Sequence, residues 1–295
     1  MQIKAPAKLN LFLNVGEKRP DGFHEIESLF LALDHSDTIF IEAVPEQPLS
    51  LEIIMDFPGI PPEKNIISRA VSLFRANTGY KNGLKISVQK RILPGSGLGG
   101  GSSNAAAVLL ALNHLDSDGL LPLNSLCEIG AGIGSDVPFF ISGASAAYVN
   151  GRGEHVQPLE LPESFKNLNF ILVNPGFPSN TTEAYSLLDV YRKNFPVVVQ
   201  FPRFSSSQVF GFLKSNPQDW LFTNDFLPVL GEKEPGTVYK QIISLLLDLD
   251  AEFAGLSGSG SACFGIFTDK EKAGIARKLL LKQWDNVILT FPLAS

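Results

Sequence analysis

The sequence is poor in cysteine and has no long apolar run, and each shortage excludes a class of protein. Its two cysteines, Cys127 and Cys263, lie far apart and match neither a disulfide framework nor a metal-ligand spacing. No apolar run approaches the roughly 18 residues of a membrane span. The N-terminus carries Lys4 and Lys8 without the apolar segment and cleavage site of a signal peptide. We therefore expect a protein of the reducing cytoplasm.

Positive charge is also in short supply. The chain has 24 Lys and Arg against 30 Asp and Glu, a net charge of −6. A body of that sign repels nucleic acid and anionic lipid, so we expect neither a nucleic acid nor a membrane partner. By contrast, 44% of the residues are hydrophobic and 18% are charged, which allows a substantial core. A length of 295 residues suits one large or two medium domains.

Apolar spacing predicts a mixture of strands and helices. Residues 3–56 have strand character, with alternation clearest from Lys8 to Val15. Pro61–Pro62 breaks the chain before a helix predicted at about 65–77. Further strands are predicted at 84–88, 146–149, 168–173, 252–256, 262–267 and 286–290. Further helices are predicted at about 103–115, 123–129, 135–142, 182–191, 206–214, 238–249 and 270–281.

The most informative segment is a glycine-rich loop, Leu93–Ala107. Five of the seven residues from Gly95 to Gly101 are glycine, which permits backbone N–H groups to approach a bulky anion. An apolar, helix-forming run follows directly, from Ala105 to Asn113. The N–H groups and dipole of a helix N-terminus favour phosphate. The segment therefore predicts a nucleotide triphosphate site.

Three kinds of phosphate loop are rich in glycine, and each has a distinct sequence pattern. A P-loop requires a lysine after the glycines, and none is present. The dinucleotide fingerprint is formally met by Gly95, Gly97 and Gly100. However, the acidic residues in range, Asp116 and Asp118, lie in a polar turn rather than at a strand end. The third kind is the loop P-x-x-x-G-L-G-x-[GS]-S-[SA], which Pro94–Ser103 resembles closely.

That loop is typical of the GHMP kinases, a superfamily of small-molecule kinases. Other segments resemble one member of the superfamily, a kinase of the non-mevalonate (MEP) isoprenoid pathway, in the same order along nearly the whole chain. They are Ala5–Asn14 with Arg19–Glu25, Gly134–Phe140 with Gly151–Glu154, and Gly258–Ser261 preceded by Asn224–Phe226.

The resemblance implies an α+β architecture of two domains with the active site in the cleft between them. The N-terminal domain, residues 1–158, is expected to resemble ribosomal protein S5 and to carry the glycine loop. The C-terminal domain, residues 159–295, is expected to be a ferredoxin-like α/β sandwich. A boundary near 155–165 is independently indicated by Pro158, Pro162 and clustered polar residues. We expect a monomer or a weak homodimer.

The resemblance implies two catalytic residues, each of which has an ordinary structural alternative. Asp136 precedes a proline in a predicted first turn, where a helix N-cap is the common role. The matching aspartate of the family is the expected base for the substrate hydroxyl. Lys8 alternates with apolar residues, and its ordinary structural alternative is a lysine on the exposed face of a strand. By resemblance it keeps Asp136 ionised and offsets charge on the moving phosphoryl group.

Substrate-binding residues are implied in four segments. Asn10 shares a strand face with Lys8 and is expected to hydrogen-bond the substrate. Phe23 and His24 are expected to form a cytosine pocket, by stacking and by hydrogen bonding. Tyr185 is expected to cover the other face of the base. Gly258, Ser259 and Gly260 form either an ordinary hairpin turn or, by resemblance, a backbone wall at the phosphate end of the substrate.

ATP is the implied phosphoryl donor, with Mg²⁺ expected as its counterion. Asn65 and Lys90 are expected on the adenosine side, although Asn65 is equally an N-cap and Lys90 a solvated strand end. No acidic Mg²⁺ ligand is evident, and Ser102 and Ser103 are the candidates for contacting phosphate or metal. The remaining ATP-binding candidates are Pro94, Gly95, Ser96, Gly97, Leu98, Gly99, Gly100 and Gly101.

The expected function is transfer of a phosphoryl group from ATP to the 2-hydroxyl of a polyol linked to cytidine diphosphate. One alternative keeps the fold and changes the acceptor to another small alcohol, of the homoserine or sugar type. Another is a non-catalytic sensor of a nucleotide or metabolite. Phe23, His24 and Tyr185 argue against the first, because those acceptors need no cytidine pocket. Lys8 and Asp136 argue against the second, because a binding module needs no acid–base pair.

Overall fold

The computed structural model describes residues 1–57, 65–116, 120–195, 201–232 and 234–293. The break expected at Pro61–Pro62 lies outside this range, as does most of the polar turn that holds Asp118. Two long strands open the chain, β1 (Gln2–Lys18) and β2 (His24–Val44), and they pair antiparallel. Their register shifts between Asn10 and Phe12, a bulge of the kind that redirects side chains near functional sites.

The first sheet has six strands and is built on this hairpin. Its other strands are β3 (Leu51–Met55), β4 (Gly83–Gln89), β5 (Ala146–Asn150) and β6 (His155–Pro158). The order is β3-β4-β2-β5-β6, with β1 paired to β2, and among the strands that the structure describes in this sheet only β3 and β4 run parallel. Helices of this half are α1 (Ile66–Thr78), α2 (Gly100–Leu115), α3 (Leu123–Ile133) and α4 (Val137–Ser142).

The second sheet has four antiparallel strands in the order β10-β7-β9-β8. They are β7 (Asn169–Asn174), β8 (Phe253–Leu256), β9 (Cys263–Phe267) and β10 (Asn286–Thr290). The helices of this half are α5 (Thr181–Asn194), α6 (Ser206–Leu213), α7 (Leu227–Leu230), α8 (Thr237–Asp248) and α9 (Lys270–Leu280). Within the described ranges, no helix has the length and apolar character needed to cross a membrane.

Alternating side chains join the layers. In β7, Phe170 and Leu172 pack with apolar residues of β1 and β2, whereas Ile171 and Val173 pack with residues of α5, α8 and α9. Strand side chains alternate between faces, so one β7 strand serves two cores. The opposite side of the first sheet packs against α1 to α4. The two halves therefore share a continuous apolar contact, which fixes the cleft between them.

The predicted elements are present, with differences at helix ends, and the structure adds strand β6 and helix α7, which apolar spacing did not predict. Helix α2 begins at Gly100 rather than near residue 103, because Gly99 already serves as its N-cap and accepts a hydrogen bond from Ser103 N at 2.9 Å. Helix α3 continues to Ile133 rather than ending near residue 129. Glycines at 130 and 132 lower the intrinsic helix propensity there, but burial of Gly130 and Ile133 extends the helix.

Candidate active site

The glycine loop between β4 and α2 is held in a shape that only glycine adopts easily. Gly97 and Gly99 have positive φ angles of 77° and 70°. A Cβ at Gly97 would lie 2.3 Å from the carbonyl oxygen of Ser257, and one at Gly99 would lie 2.9 Å from Cγ of Lys8. The loop is thus pressed against β1 on one side and the β8–β9 turn on the other.

A cavity of about 320 Å³ lies on one side of this loop, at the N-terminus of α2. Lys90 is the only Lys or Arg among its described lining residues. Backbone amides and the helix dipole therefore supply most of the attraction for phosphate. Of the residues expected to bind ATP, those that line the cavity are Asn65, Lys90, Pro94, Gly95, Ser96, Gly97, Leu98, Gly99, Gly100, Gly101 and Ser102.

The positive charge of Lys90 is matched by a buried carboxylate that the sequence did not indicate. Asp37 is completely buried in β2, and one of its oxygens accepts from Lys90 Nζ and, at 2.8 Å, from Asn104 Nδ2. Its other oxygen accepts from the backbone N–H groups of Arg91 and Ile92 at 2.7 and 2.9 Å. Lys90 is therefore not a solvated strand end. The network ties the entry of the loop to β2 and α2.

Two of the expected ATP-side residues have additional or different roles. Asn65 caps α1, because its side chain accepts from Ile67 N at 3.0 Å, and it lines the cavity as well. Ser103 is 1% exposed, and neither its backbone nor its hydroxyl lines the cavity. That hydroxyl has no hydrogen-bond partner among the described residues. Ser102 is thus the serine that remains available to phosphate.

A second cleft, of about 430 Å³, lies on the other side of the glycine loop. Gly97 and Gly99 line both cavities, so a molecule in one would meet a molecule in the other at these two glycines. Of the residues expected to bind or convert the acceptor, those that line this cleft are Lys8, Asn10, Phe23, His24, Asp136, Tyr185, Gly258 and Ser259.

Lys8 and Asp136 meet where the two cavities join. Lys8 Nζ lies 3.5 Å from Asp136 Oδ2, with the lysine side chain 5% exposed and the aspartate side chain 28% exposed. The ammonium also lies 4.7 Å from the centre of the Phe30 ring. The backbone N–H of Lys8 donates to Leu98 O at 2.9 Å, which fixes the lysine to the glycine loop. A buried cation and a partly open carboxylate thus face the same point.

Asp136 does not act as a helix cap. It occupies the N-cap position of α4, but its backbone is already helical, with φ −81° and ψ −12°, and its side chain accepts no capping hydrogen bond. The local alternative suggested by the sequence is therefore wrong. The carboxylate is left facing the cleft beside Lys8.

Asn10 is held by residues from three parts of the chain. Its Oδ1 accepts from Lys8 Nζ, and its Nδ2 donates to Ser28 Oγ at 2.9 Å. Its backbone N–H donates to Ser257 Oγ at 3.3 Å, and that hydroxyl donates to Gly97 O at 3.0 Å. Ser28 and Ser257 had no sequence signal of their own, since neither belongs to a motif that specifies such contacts. Together they hold β1, the glycine loop and the β8–β9 turn in one geometry.

The β8–β9 turn forms part of the wall of this cleft. Ser259 Oγ is 3.0 Å from Thr181 Oγ1, and Ser259 O accepts from Ser179 Oγ at 2.5 Å. Asn224 holds the same turn by donating to Gly258 O at 2.8 Å. Gly258 and Ser259 line the cleft, whereas Gly260 does not. A Cβ at Gly260 would instead lie 3.0 Å from the Tyr239 hydroxyl, on the inner side of the turn.

Aromatic side chains line the far end of the cleft. Tyr185 on α5 stacks on the His24 ring, with centroids 4.8 Å apart and planes 19° from parallel. Phe23 is 48% exposed, and the Arg152 guanidinium lies 5.1 Å from the centre of its ring. Burial, with a smaller contribution from the charge of Asp136, raises the pKa of the Tyr185 hydroxyl. At neutral pH this tyrosine is therefore an uncharged stacking surface.

His24 and its surroundings include a further acidic residue that sequence reasoning missed. His24 Nε2 lies 2.7 Å from Asp189 Oδ1, and Asp189 is also 3.9 Å from Lys18 Nζ. Tyr185 and Asp189 are four residues apart on α5, so both extend from one face of that helix. The helical pattern placed them together, but only the tertiary contact shows that they reach His24.

No group of three or more His, Cys, Asp or Glu side chains in the described ranges is arranged to hold a metal ion. Ser102 Oγ would lie 3.8 Å from a Cβ at Gly134, two residues before Asp136.

Comparison with known proteins agrees with this geometry. Residues 65–144 match the family model described as GHMP kinases N terminal domain, and residues 221–286 match GHMP kinases C terminal. A 4-diphosphocytidyl-2-C-methyl-D-erythritol kinase of Burkholderia thailandensis is 36% identical, over 96% of this chain and 91% of that protein. A protein of the same name from Thermodesulfovibrio yellowstonii is 35% identical, over 97% and 96%.

A solved structure described as 4-(cytidine 5′-diphospho)-2C-methyl-D-erythritol kinase superposes with a TM-score of 0.78 at 29% identity, and each chain is completely covered. The resemblance carried by the motifs is thereby confirmed, as is the two-domain α+β fold that it implies. Because relatives more than 30% identical align with nearly its whole length, the chain belongs to the GHMP kinases, in the family of 4-diphosphocytidyl-2-C-methyl-D-erythritol kinases.

Proposed function

We propose that the protein is an ATP-dependent kinase that phosphorylates the 2-hydroxyl of 4-diphosphocytidyl-2-C-methyl-D-erythritol. The products are the 2-phosphate and ADP, and the reaction belongs to the non-mevalonate (MEP) route to isoprenoid precursors. The observation that carries the proposal is the junction of two cavities at Gly97 and Gly99, directly beside Lys8 and Asp136. We further propose a cytoplasmic location, because two distant cysteines and an acidic net charge suit it.

ATP occupies the cavity at the N-terminus of α2 in this proposal. The amides of the glycine loop and the start of α2 surround the polyphosphate, and Asn65 and Lys90 lie toward the nucleoside. Since Asp37 already balances the charge of Lys90, that lysine contributes a fixed hydrogen-bond donor rather than a free positive charge. The γ-phosphate then points toward the shared glycines.

The acceptor occupies the larger cleft, with its reacting hydroxyl between Asp136 and the γ-phosphate. The hydroxyl oxygen forms a bond to phosphorus as the bond from phosphorus to the ADP oxygen breaks. The hydroxyl proton passes to Asp136, and from there to solvent. Lys8 offsets the negative charge of the transferring group, and its burial strengthens this effect because water screens it little.

Acceptor selection is assigned to the aromatic end of the cleft. Phe23 and Tyr185 supply the faces that stack on a cytosine ring, and His24 supplies hydrogen bonds to its edge. A base hydrogen-bonded edge to edge with His24 shares the plane of that ring. It therefore lies parallel to Tyr185, which is already nearly parallel to His24. Asn10, Gly258 and Ser259 are left to contact the polyol and the diphosphate.

Mg²⁺ is expected to accompany ATP, and Ser102 is the residue that would help to hold it beside the phosphates. When bound, it neutralises phosphate charge and so lowers the cost of bringing a nucleophile close. The protein's own residues supply the orientation: Lys8, Asn10 and the glycine loop fix the direction of approach.

The test is an ADP-release assay with purified protein, ATP, Mg²⁺ and 4-diphosphocytidyl-2-C-methyl-D-erythritol. We expect one ADP for each acceptor phosphorylated, and inhibition by free cytidine nucleotides that compete with the acceptor. Folded protein that releases no ADP would refute the proposal. Turnover of homoserine or of a sugar, without competition by cytidine nucleotides, would instead support a different acceptor on the same fold.

A further inference from the structure

One face of α5 forms a short polar contact with the start of β2. His24 Nε2 lies 2.7 Å from Asp189 Oδ1, and the His24 side chain is 6% exposed. Tyr185, one helical turn before Asp189, covers the face of the same imidazole. No hydrogen bond is formed by His24 Nδ1 with any residue that the structure describes. His24, Tyr185 and Asp189 all line the acceptor cleft.

The carboxylate determines which imidazole nitrogen carries the hydrogen. A carboxylate only accepts, so the neutral ring must donate through Nε2–H, and Nδ1 is left as a lone-pair acceptor. If the hydrogen moved to Nδ1, this charge-assisted hydrogen bond would be lost. The lone pair of Nε2 would then face the negatively charged Oδ1 of Asp189 at 2.7 Å, which is repulsive. The ring is therefore restricted to one tautomer in the cleft.

Cytosine and uracil differ at the edge where this restriction acts. Cytosine presents a donor, its 4-amino group, where uracil presents a 4-oxo acceptor. An imidazole nitrogen without a hydrogen accepts a hydrogen bond from the amino group of cytosine. It is repelled by the oxo group of uracil, because both atoms are acceptors. An unrestricted histidine could change tautomer and bind both bases.

We propose that Asp189 is a specificity-determining residue that makes the acceptor cleft select cytosine over uracil by fixing the tautomer of His24. The inference rests on the proposed function, because it presumes that a pyrimidine base reaches His24. Asp189 acts through His24 and is a positioning residue. Its exposed fraction, 40%, places it at the rim of the cleft, consistent with a role behind the base-contacting ring.

A purely structural role would be to attach α5 to the start of β2. Removing Asp189 would then weaken the binding of both pyrimidine nucleotides equally and would leave the ratio of their affinities unchanged. The proposed role predicts the reverse: the ratio changes because binding of the uracil nucleotide improves. The ratio of affinities is therefore the diagnostic measurement, and the absolute affinity is not.

The first experiment measures dissociation constants of cytidine 5′-diphosphate and uridine 5′-diphosphate by calorimetry. For the wild-type protein we expect cytidine 5′-diphosphate to bind on the order of 10- to 100-fold more tightly than uridine 5′-diphosphate. This is the range expected when one buried hydrogen bond is replaced by a contact between two acceptors. Asp189→Asn should reduce that preference by about tenfold, since an amide can donate to or accept from either tautomer. Asp189→Glu keeps a carboxylate and should retain the preference.

Glu183→Gln is the matched control, because it removes one carboxylate charge from the exposed side of the first turn of α5. It should leave the ratio of the two dissociation constants unchanged. If Asp189→Asn fails to fold by circular dichroism, the wild type and Asp189→Glu still test the inference through the second experiment.

The second experiment reads the tautomer directly by ¹⁵N NMR of the histidine rings, at about pH 8.5, above the ordinary pKa of imidazole. With only four histidines in the chain, the His24 signals can be assigned by substitution. Wild-type His24 should carry its hydrogen on Nε2 with either nucleotide bound. Asp189→Asn should move the hydrogen to Nδ1 in the uridine complex.

The outcomes separate the inference from the function on which it rests. A cytidine preference that survives Asp189→Asn, or a wild-type His24 that changes tautomer or carries both hydrogens, overturns the inference and leaves the kinase proposal intact. If cytidine 5′-diphosphate does not bind the wild-type protein, the cytidine-linked acceptor is refuted, and the inference with it.

Discussion

Replacing Lys8 with methionine separates the catalytic role of its charge from its contribution to folding. Methionine keeps most of the aliphatic chain beside Phe30 and removes the ammonium that lies 3.5 Å from Asp136. At that distance, opposite unit charges attract by about 4 to 5 kcal/mol at an effective dielectric constant of about 20. In the proposed reaction, the same ammonium faces the charge of the transferring phosphoryl group.

Loss of one such preorganised donor typically lowers kcat by about 10²- to 10³-fold. We therefore expect Lys8→Met to lower kcat by about that factor, with the KM for ATP changed less than about threefold, because the ATP cavity does not include Lys8. ADP release at saturating acceptor measures both quantities.

Stability should respond very differently. Burying an ammonium is costly, so its removal relieves a desolvation penalty. Against this, the attraction to Asp136 is lost, and Asn10 Oδ1 loses its donor, which by itself costs about 1–3 kcal/mol in a buried site. These opposing contributions should leave the free energy of unfolding within about 2 kcal/mol of the wild-type value in a urea titration.

Lys85→Met is the matched control for Lys8→Met. Lys85 is also a strand lysine with a carboxylate 3.5 Å away, but it is half exposed and remote from both cavities. Exposed ion pairs contribute little, so neither stability nor kcat should change measurably. A Lys8→Met enzyme that keeps more than a tenth of the wild-type kcat would refute the role assigned to this charge. So would an equal loss in Lys85→Met.

Three further predictions follow from the same geometry. Asp136→Asn should lower kcat by at least about 10²-fold while the dissociation constants of both substrates stay within about threefold, as measured by kinetics and calorimetry; unchanged turnover would exclude a base at this position. Gly99→Ala should lower both activity and melting temperature, because φ is positive and the new Cβ would lie 2.9 Å from Lys8. The control Gly143→Ala, with φ 69° and no atom near the new Cβ, should lower the free energy of unfolding by only about 1 kcal/mol. Burial lowers the pKa of His35, so the folded protein binds its proton less readily than the unfolded chain does. Stability should therefore fall as pH drops below about 6.5, by at most about 1.4 kcal/mol per pH unit from this group. In His35→Gln this part of the slope should be absent from urea titrations across pH 5–7, approximately the window in which unfolded histidine gains its proton.

The sequence determined the local features of the protein. Glycine content and a following helix-forming run predicted the phosphate loop, because those properties depend on neighbouring residues alone. Alternation in β1 placed Lys8 and Asn10 on one face, and the structure joins them by a hydrogen bond. Their roles in substrate binding and catalysis stay predictions.

Local sequence was insufficient to assign the role of a side chain where that role depends on residues distant in the chain. Asp136 has the sequence context of a helix cap, and the structure leaves its carboxylate uncapped beside Lys8. Ser103 belongs to the glycine motif, yet it is buried and does not line the cavity. Helical rotation decides which of two adjacent serines faces the ligand, and the exact start of the helix was not predictable from composition.

What only the tertiary structure decided is the set of polar residues behind the site. Asp37 balances Lys90, Ser257 joins Asn10 to the glycine loop, and Asp189 orients His24. Each contact joins segments far apart in the chain, so no local periodicity encodes it. A buried charge or hydroxyl must find a partner to offset its desolvation, and which partner it finds depends on how the two sheets pack against each other.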